Sequence, residues 1–230
     1  MTTETHSNEV LATIYQQRFG GAEKYRAEVW RHLCEAYFQE ALGGQLDGVV
    51  DVGCGYGVFI NNIKAERKYG IDLNPDSKAF LNEGVTFLQQ PCQKPWPLED
   101  ESIDAVFTSN FFEHLPNKET LSRTLLEARR CLRPGGRIMA MGPNINVVNG
   151  RYWDFYDHHV ALSEKSMAEG LSITGFEIEK EIARFVPYTM VGQPKYPASV
   201  IRLYLAMPFA WRFFGGQFLV AGRKLKSQKA

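Results

Sequence analysis

Three groups of residues in this chain have side-chain types and spacings suited to chemistry. The first is Asp51-Val52-Gly53-Cys54-Gly55-Tyr56-Gly57, with Asp72 further along. Glycines at alternate positions let a backbone turn tightly, and a ligand can lie against such a turn without meeting a Cβ. An ionised carboxylate accepts at two oxygens and donates at none, so Asp72 suits the adjacent hydroxyls of a ribose. Its bland alternative is a turn start, within Asp72-Leu73-Asn74-Pro75-Asp76. The second group is Asn110-Phe111-Phe112-Glu113-His114, and the third runs from Arg151-Tyr152-Trp153-Asp154 to Asp157-His158-His159. Carboxylates beside imidazoles are proton-transfer chemistry. The first group would hold a nucleoside-bearing cofactor, and the other two would face whatever reacts with it.

Positioning these groups needs strands that end where the chemistry begins. Residues 48–53 read as a buried strand through Val49, Val50 and Val52. Val58, Phe59, Ile60 and Ile63 predict the buried side of a helix after the glycine turn, and Tyr69-Gly70-Ile71-Asp72 closes a second strand. A dinucleotide fingerprint needs a third glycine where this chain has Val58, so that cofactor class fits poorly. Residues 85–88 and 105–108 read as the third and fourth strands, 121–132 as an amphipathic helix stopped by Pro134-Gly135-Gly136, and 138–141 as the fifth strand. The alternation predicts an α/β, Rossmann-like, doubly wound and mostly parallel seven-stranded sheet, with its site at the carboxyl ends of the strands. Beyond Asn144 the pattern changes. Ser163 caps a helix to Leu171 with Gly175 past its end, and residues 176–186 and 217–223 predict a final antiparallel pair.

With these residues in view, the chain resembles a class I S-adenosylmethionine-dependent methyltransferase over about residues 49–144. Asp51 to Gly57 resembles that family's first motif and Gly70-Ile71-Asp72-Leu73 its second. Trp96-Pro97-Leu98 through Asp104-Ala105-Val106 resembles the approach to the fourth strand, and Leu132-Arg133-Pro134-Gly135-Gly136 the turn into the fifth. The resemblance implies S-adenosylmethionine as cofactor and S-adenosylhomocysteine as product, held by Asp51, Gly53, Cys54, Gly55, Gly57, Asp72 and Leu73. It also implies an adenine contact after the third strand, where the usual acid is replaced by Cys92; Gln93, a backbone group or water would then meet the adenine. Asn110 would reach the cofactor's methionine part.

Methyl transfer from a sulfonium is an in-line displacement, so the protein must align the acceptor, exclude water and take a proton where needed. His158 is the preferred base, oriented by Asp157 or, with helical spacing, by Asp154. His114 and Glu113 are the second candidates. For both groups ordinary polar contacts and aromatic packing are the competing explanation. Asp154, Asp157, His158 and His159 match no metal-ligand spacing, so no metal is expected.

The outer segments complete the plan. Residues 1–44 predict a helical cap, disordered to about residue 10 and broken at Gly20-Gly21, with Tyr15, Arg18 and Phe19 as lid candidates. Residues 45–230 form the methyltransferase domain, with 145–175 on the acceptor side and an apolar insertion at 187–216. Within the insertion, residues 198–214 are too short and too interrupted by Arg202, Pro208 and Arg212 to span a membrane. They would roof an apolar acceptor, touch a membrane surface with the basic tail Arg223, Lys224, Lys226 and Lys229, join a homodimer, or pack on the sheet. The tail from Tyr152 to Val220 resembles bacterial methyltransferases of polysaccharide and glycolipid assembly, which implies a sugar or lipid-linked glycan acceptor.

Composition sets bounds on these readings. The 230 residues are 44% hydrophobic, enough for one substantial core. Lys+Arg and Asp+Glu are both 26, so no global field favours nucleic acid. Cys34, Cys54, Cys92 and Cys131 lack metal spacing and read as reduced, and the polar start is no secretory signal; both predict the cytoplasm. Two other functions use the same fold: aminopropyl transfer, which would need a markedly acidic pocket, and a non-catalytic cofactor-binding scaffold.

Overall fold

The computed structural model describes residues 23–188 and 194–225. The lid candidates Tyr15, Arg18 and Phe19, and the tail residues Lys226 and Lys229, lie outside the described residues. The first described element is α1 (Glu23–Leu33), which passes through a π-helical stretch (Cys34–Phe38) into α2 (Gln39–Leu42).

Seven strands follow: β1 (Gly48–Val52), β2 (Arg67–Asp72), β3 (Val85–Gln89), β4 (Ile103–Ser109), β5 (Leu132–Pro143), β6 (Phe176–Ile182) and β7 (Gln217–Lys224). They form one sheet in the order β3-β2-β1-β4-β5-β7-β6. β1 to β5 are parallel, and β7 runs antiparallel between β5 and β6. This is the doubly wound, mostly parallel sheet with an antiparallel end that the alternation predicts. The strand order reverses between β1 and β4, so a crevice opens at their carboxyl ends.

Period-2 alternation sends the apolar residues into two cores. Val50, Val52, Val106, Ile138, Ala140, Phe218 and Val220 face α3 (Lys118–Cys131) and α5 (Glu164–Ile173), which contribute Leu121, Leu125, Met167 and Leu171. Val49, Phe107, Met139, Met141, Leu219 and Ala221 face the other way, against Trp30, Leu33, Phe38, Phe59 and Ile60. Phe59 stacks on Phe107 with centroids 3.8 Å apart, and Phe38 meets Phe107 edge-on at 4.9 Å. Such pairs add about 0.5–1.5 kcal/mol each beyond the area they bury.

The helices begin where side chains can cap them. Asn117 accepts from Thr120 N–H ahead of α3, and Ser163 forms a capping box with Ser166 ahead of α5. A short α4 (Ile145–Val148) is capped by Asn144. The insertion folds as two helices, α6 (Ala198–Leu205) and α7 (Pro208–Phe214). Their buried side inserts Leu205 and Trp211 beside Tyr37 and Phe185. Among the described residues no helix is long and apolar enough to cross a membrane.

Three expectations need correction. No regular helix follows the glycine turn; residues 58–63 make linked turns. Phe59, Ile60 and Ile63 are buried as expected, but Asn61 and Asn62 draw the backbone into other bonds. Asn61 joins Phe80 O and Asn82 N–H, and the Asn62 side chain donates to Val58 O. β5 starts at Leu132 rather than after the glycines, with a register shift against β4 between Ile103 and Ala105 absorbing the bend. β6 stops at Ile182, because Phe185 turns into the aromatic core beside Phe38 and Trp211.

Candidate functional site

At the end of β1 the chain turns at Gly53, whose φ of +73° is costly for a residue with a Cβ. A Cβ there would lie 2.2 Å from the Phe111 ring, so this glycine admits an aromatic from the loop after β4 rather than open space. At Gly57 (φ +67°) a Cβ would lie 2.7 Å from Leu81. Gly53 and Cys54 N–H both donate to Ile71 O, at 2.8 and 3.1 Å, tying the turn to β2.

That tie brings Asp72 onto the turn. Its carboxylate accepts from Gly55 N–H at 2.8 Å and from Asn74 N–H at 2.9 Å. Burial raises the Asp72 pKa, and the backbone N–H groups of Asn74, Gly55 and Leu73 oppose that shift. Asp51 ends up buried on the α1 side of β1. Burial, and after it the charge of Asp72, pushes its carboxyl up to about 8 despite a hydrogen bond from Ile60 N–H. The pair therefore carries less than two full negative charges near neutrality.

The loop after β3 places Cys92 in the cavity wall, where Thr124 Oγ1 donates to its thiol and Trp96 Nε1 donates to its carbonyl. Burial pushes the Cys92 thiol up, as it does for Cys34, Cys54 and Cys131, so all four are packing residues rather than nucleophiles. Gln93 lies beside Cys92 in the same wall. Asn110 follows β4 with a φ of +49°, its N–H donating to Met141 O at 2.9 Å.

The loop after β4 meets the segment after β5 through its backbone. His159 and Val160 N–H donate to Glu113 O at 2.8 and 3.1 Å. The buried Tyr152 hydroxyl, donating to Val160 O, holds the same segment from below. His158 is thereby set against Phe155 (centroids 5.0 Å, stacked) and His114 (4.9 Å, edge-on). The His114 Nδ1 lies 3.1 Å from both the Asp157 carboxylate and the Asp157 carbonyl. Burial works against the His114 cation, but the Asp157 hydrogen bond and the charges of Glu113 and Asp157 outweigh it, raising its pKa. Burial raises the Glu113 carboxyl, with the His114 charge opposing.

A single cavity of about 1950 Å³ joins these parts. Asp51, Gly53, Cys54, Gly55, Asp72, Leu73, Cys92, Gln93 and Asn110 line it at one end, and Glu113, His114, Asp157 and His158 at the other. Gly57 shapes the turn from outside the wall. Asp154 is exposed and away from the cavity, and the Asp157 carboxylate meets His114. The helical spacing expected between Asp154 and His158 does not form, because residues 149–154 make a 3₁₀ segment that ends before it. Sequence reasoning expected the N-terminal helix as a covering but did not single out Tyr25 and Trp30 of α1, or Tyr188 and Gln217, as wall residues. No local pattern marks those residues; the sheet topology alone gathers them. From the insertion, Val200, Ile201, Tyr204, Leu205 and Phe214 close the cavity on a third side.

A family model described as a methyltransferase domain matches residues 50–140. An uncharacterized methyltransferase of Mycobacteroides abscessus is 32% identical over 116 residues, covering 46% of this chain and 44% of that protein. The chain thus spans less than half of that relative's length. A solved S-adenosylmethionine-dependent methyltransferase of Thermotoga maritima, described as a possible histamine N-methyltransferase, superposes with a TM-score of 0.65 at 19% identity. That match covers 96% of this chain and 99% of the other. N-methyltransferase NodS of Bradyrhizobium japonicum, solved with S-adenosylhomocysteine, gives 0.58 at 14% identity over 91% of each chain. At these identities the structural likeness is one of fold. Residues 50–140 thus match a methyltransferase domain, and the chain has the fold of solved S-adenosylmethionine-dependent methyltransferases.

Proposed function

We propose that this chain binds S-adenosylmethionine along the carboxyl ends of β1, β2 and β4 and moves its methyl group to an oxygen or nitrogen of a small molecule. The observation that carries this reading is the continuous cavity, with the glycine turn and Asp72 at one end and Glu113, His114 and His158 at the other. Asp72 would take the ribose hydroxyls. A carboxylate offers about four acceptor positions, and Gly55 and Asn74 occupy two at full hydrogen-bond distance. Leu73, half exposed beside it, would pack on the adenine, with Gln93 or a backbone group meeting its edge. Asp51 and Asn110 would face the methionine part. The cofactor, when bound, supplies an already activated methyl group.

The remaining work falls to this chain's residues. They must hold the acceptor atom in line, keep water out and remove its proton. Asp157 fixes the His114 ring, and the aromatic contacts of Phe155 and Tyr152 fix His158. The apolar wall of α6 and α7 excludes water on the acceptor side. We take the acceptor to be a sugar or a lipid-linked glycan of polysaccharide or glycolipid assembly. The exposed Leu203, Phe209 and Phe213 beside Arg212 fit peripheral membrane contact or a dimer interface. The free buried cysteines fit a reducing, cytoplasmic setting. Incubation with methyl-labelled S-adenosylmethionine and a panel of nucleotide sugars and glycolipids tests the acceptor class. Label in neither set overturns the glycan assignment.

A further inference from the structure

We propose that Glu113, His114 and His158 form a binding site for a divalent cation of the zinc class at the acceptor end of the cavity. One ligand atom from each lies within 4.8 Å of the others. Two imidazoles and one carboxylate are the donor set of a catalytic zinc site, which keeps a further position open for water or substrate. Here the open side is the cavity that all three residues line. Bonds of about 2.0–2.1 Å separate the ligands of a tetrahedral ion by roughly 3.3 Å, so side-chain rotations of about 1.5 Å or less close the site.

A second arrangement points the same way. A histidine that ligates a metal usually gives its other ring nitrogen to a carboxylate or a backbone carbonyl, which fixes the tautomer and the ring. His114 Nδ1 meets both kinds of partner at once, the Asp157 carboxylate and the Asp157 carbonyl, each at 3.1 Å. Its Nε2 is then the nitrogen left for an ion. Glu113 is held by its own backbone, whose carbonyl takes two N–H donors from the segment that carries His158. The ligands from two distant loops are thus locked to one another rather than left to meet. Nitrogen with one carboxylate favours zinc, cobalt or nickel over magnesium or calcium. The residues that sequence spacing weighed for a metal were a different set; of these, Asp154 and His159 are exposed and away from the cavity wall.

A cation here would hold an acceptor hydroxyl through its oxygen and lower its pKa, so that the proton is lost to solvent as the acceptor enters and His114 and His158 serve as ligands rather than as bases. That role rests on the methyl-transfer reading; ion binding does not. The test uses the untagged 230-residue chain, stripped with a chelator and titrated with Co²⁺ and Zn²⁺ by calorimetry and by visible absorption of the cobalt form. One equivalent should bind, with the intense visible bands of four- or five-coordinate cobalt. H158Q and E113Q should weaken binding by more than the roughly 10–100-fold expected for D157N, which removes an outer partner. H159Q should leave it unchanged. Should E113Q fail to fold, H158Q and D157N carry the comparison. Absence of stoichiometric binding, or binding that H158Q and D157N leave intact, overturns the proposal. S-adenosylhomocysteine is titrated in parallel. Its binding without cobalt binding sinks only the ion site, and cobalt binding without it sinks only the cofactor reading.

Discussion

Replacing Asp72 separates the charge at the second strand's end from the shape of the turn. Its carboxylate anchors Gly55 and Asn74 N–H, and its remaining lone pairs would receive the ribose hydroxyls. Hydrogen bonds to a charged acceptor contribute about 1.5–3 kcal/mol, which corresponds to roughly 10- to 150-fold in affinity. Asp72→Ala should therefore weaken S-adenosylhomocysteine by that range in a calorimetric titration. Asp72→Asn keeps the side chain's volume and one acceptor but removes the charge and turns an amide donor toward donors. It should lose nearly as much affinity as Ala, while its thermal midpoint falls less. A folded Asp72→Asn protein binding the ligand within about threefold of the parent refutes the role given to this carboxylate.

Other substitutions test separate parts of the site. Gly53→Ala meets the Phe111 ring and a left-handed backbone; it should cost at least about 1–2 kcal/mol by urea denaturation and weaken cofactor binding. Asp51 has a folded pKa of about 8, above the unfolded value near 3.9. Its stabilising contribution is full below the unfolded value and is lost as pH rises through about 8, on the order of 1 kcal/mol per unit between. Asp51→Asn should therefore gain stability relative to the parent from pH 6 to pH 9; equal pH profiles would contradict the assignment. If the cofactor's ammonium lies beside Asp51, binding S-adenosylmethionine near pH 7 should release a proton, seen as calorimetric heats that vary with buffer. His114→Gln and His158→Gln should each abolish turnover with product-cofactor affinity unchanged, and full turnover in both removes these imidazoles from the reaction.

The strands were legible because buried parallel strands concentrate β-branched residues, as in Val49 to Val52, and their alternation survives into the two cores. The glycine turn and Asp72 were legible for a different reason: a short stretch of chain and one neighbouring strand build them. The segment after the turn misled, since Phe59, Ile60 and Ile63 have helical spacing while Asn61 and Asn62 spend their side chains on competing backbone bonds. At the far end, residue types were readable but partners were not. Asp157 meets His114 across 43 positions, an arrangement set by backbone bonds to Glu113 O that no local pattern encodes. The pairing expected between Asp154 and His158 assumed a helix where the chain forms a 3₁₀ turn. The walls from α1 and the insertion were foreseen as coverings, but which side chains enter depends on packing against Tyr37 and Phe185.

Titration of the folded 230-residue chain with S-adenosylmethionine, S-adenosylhomocysteine and NAD is the most direct test of whether the crevice beside Gly55 and Asp72 is an adenosyl-sulfonium site. One equivalent of each sulfur compound should bind, raising the thermal midpoint, and NAD should give neither heat nor stabilisation. Saturable NAD binding with no response to either sulfur compound would contradict the account at its base.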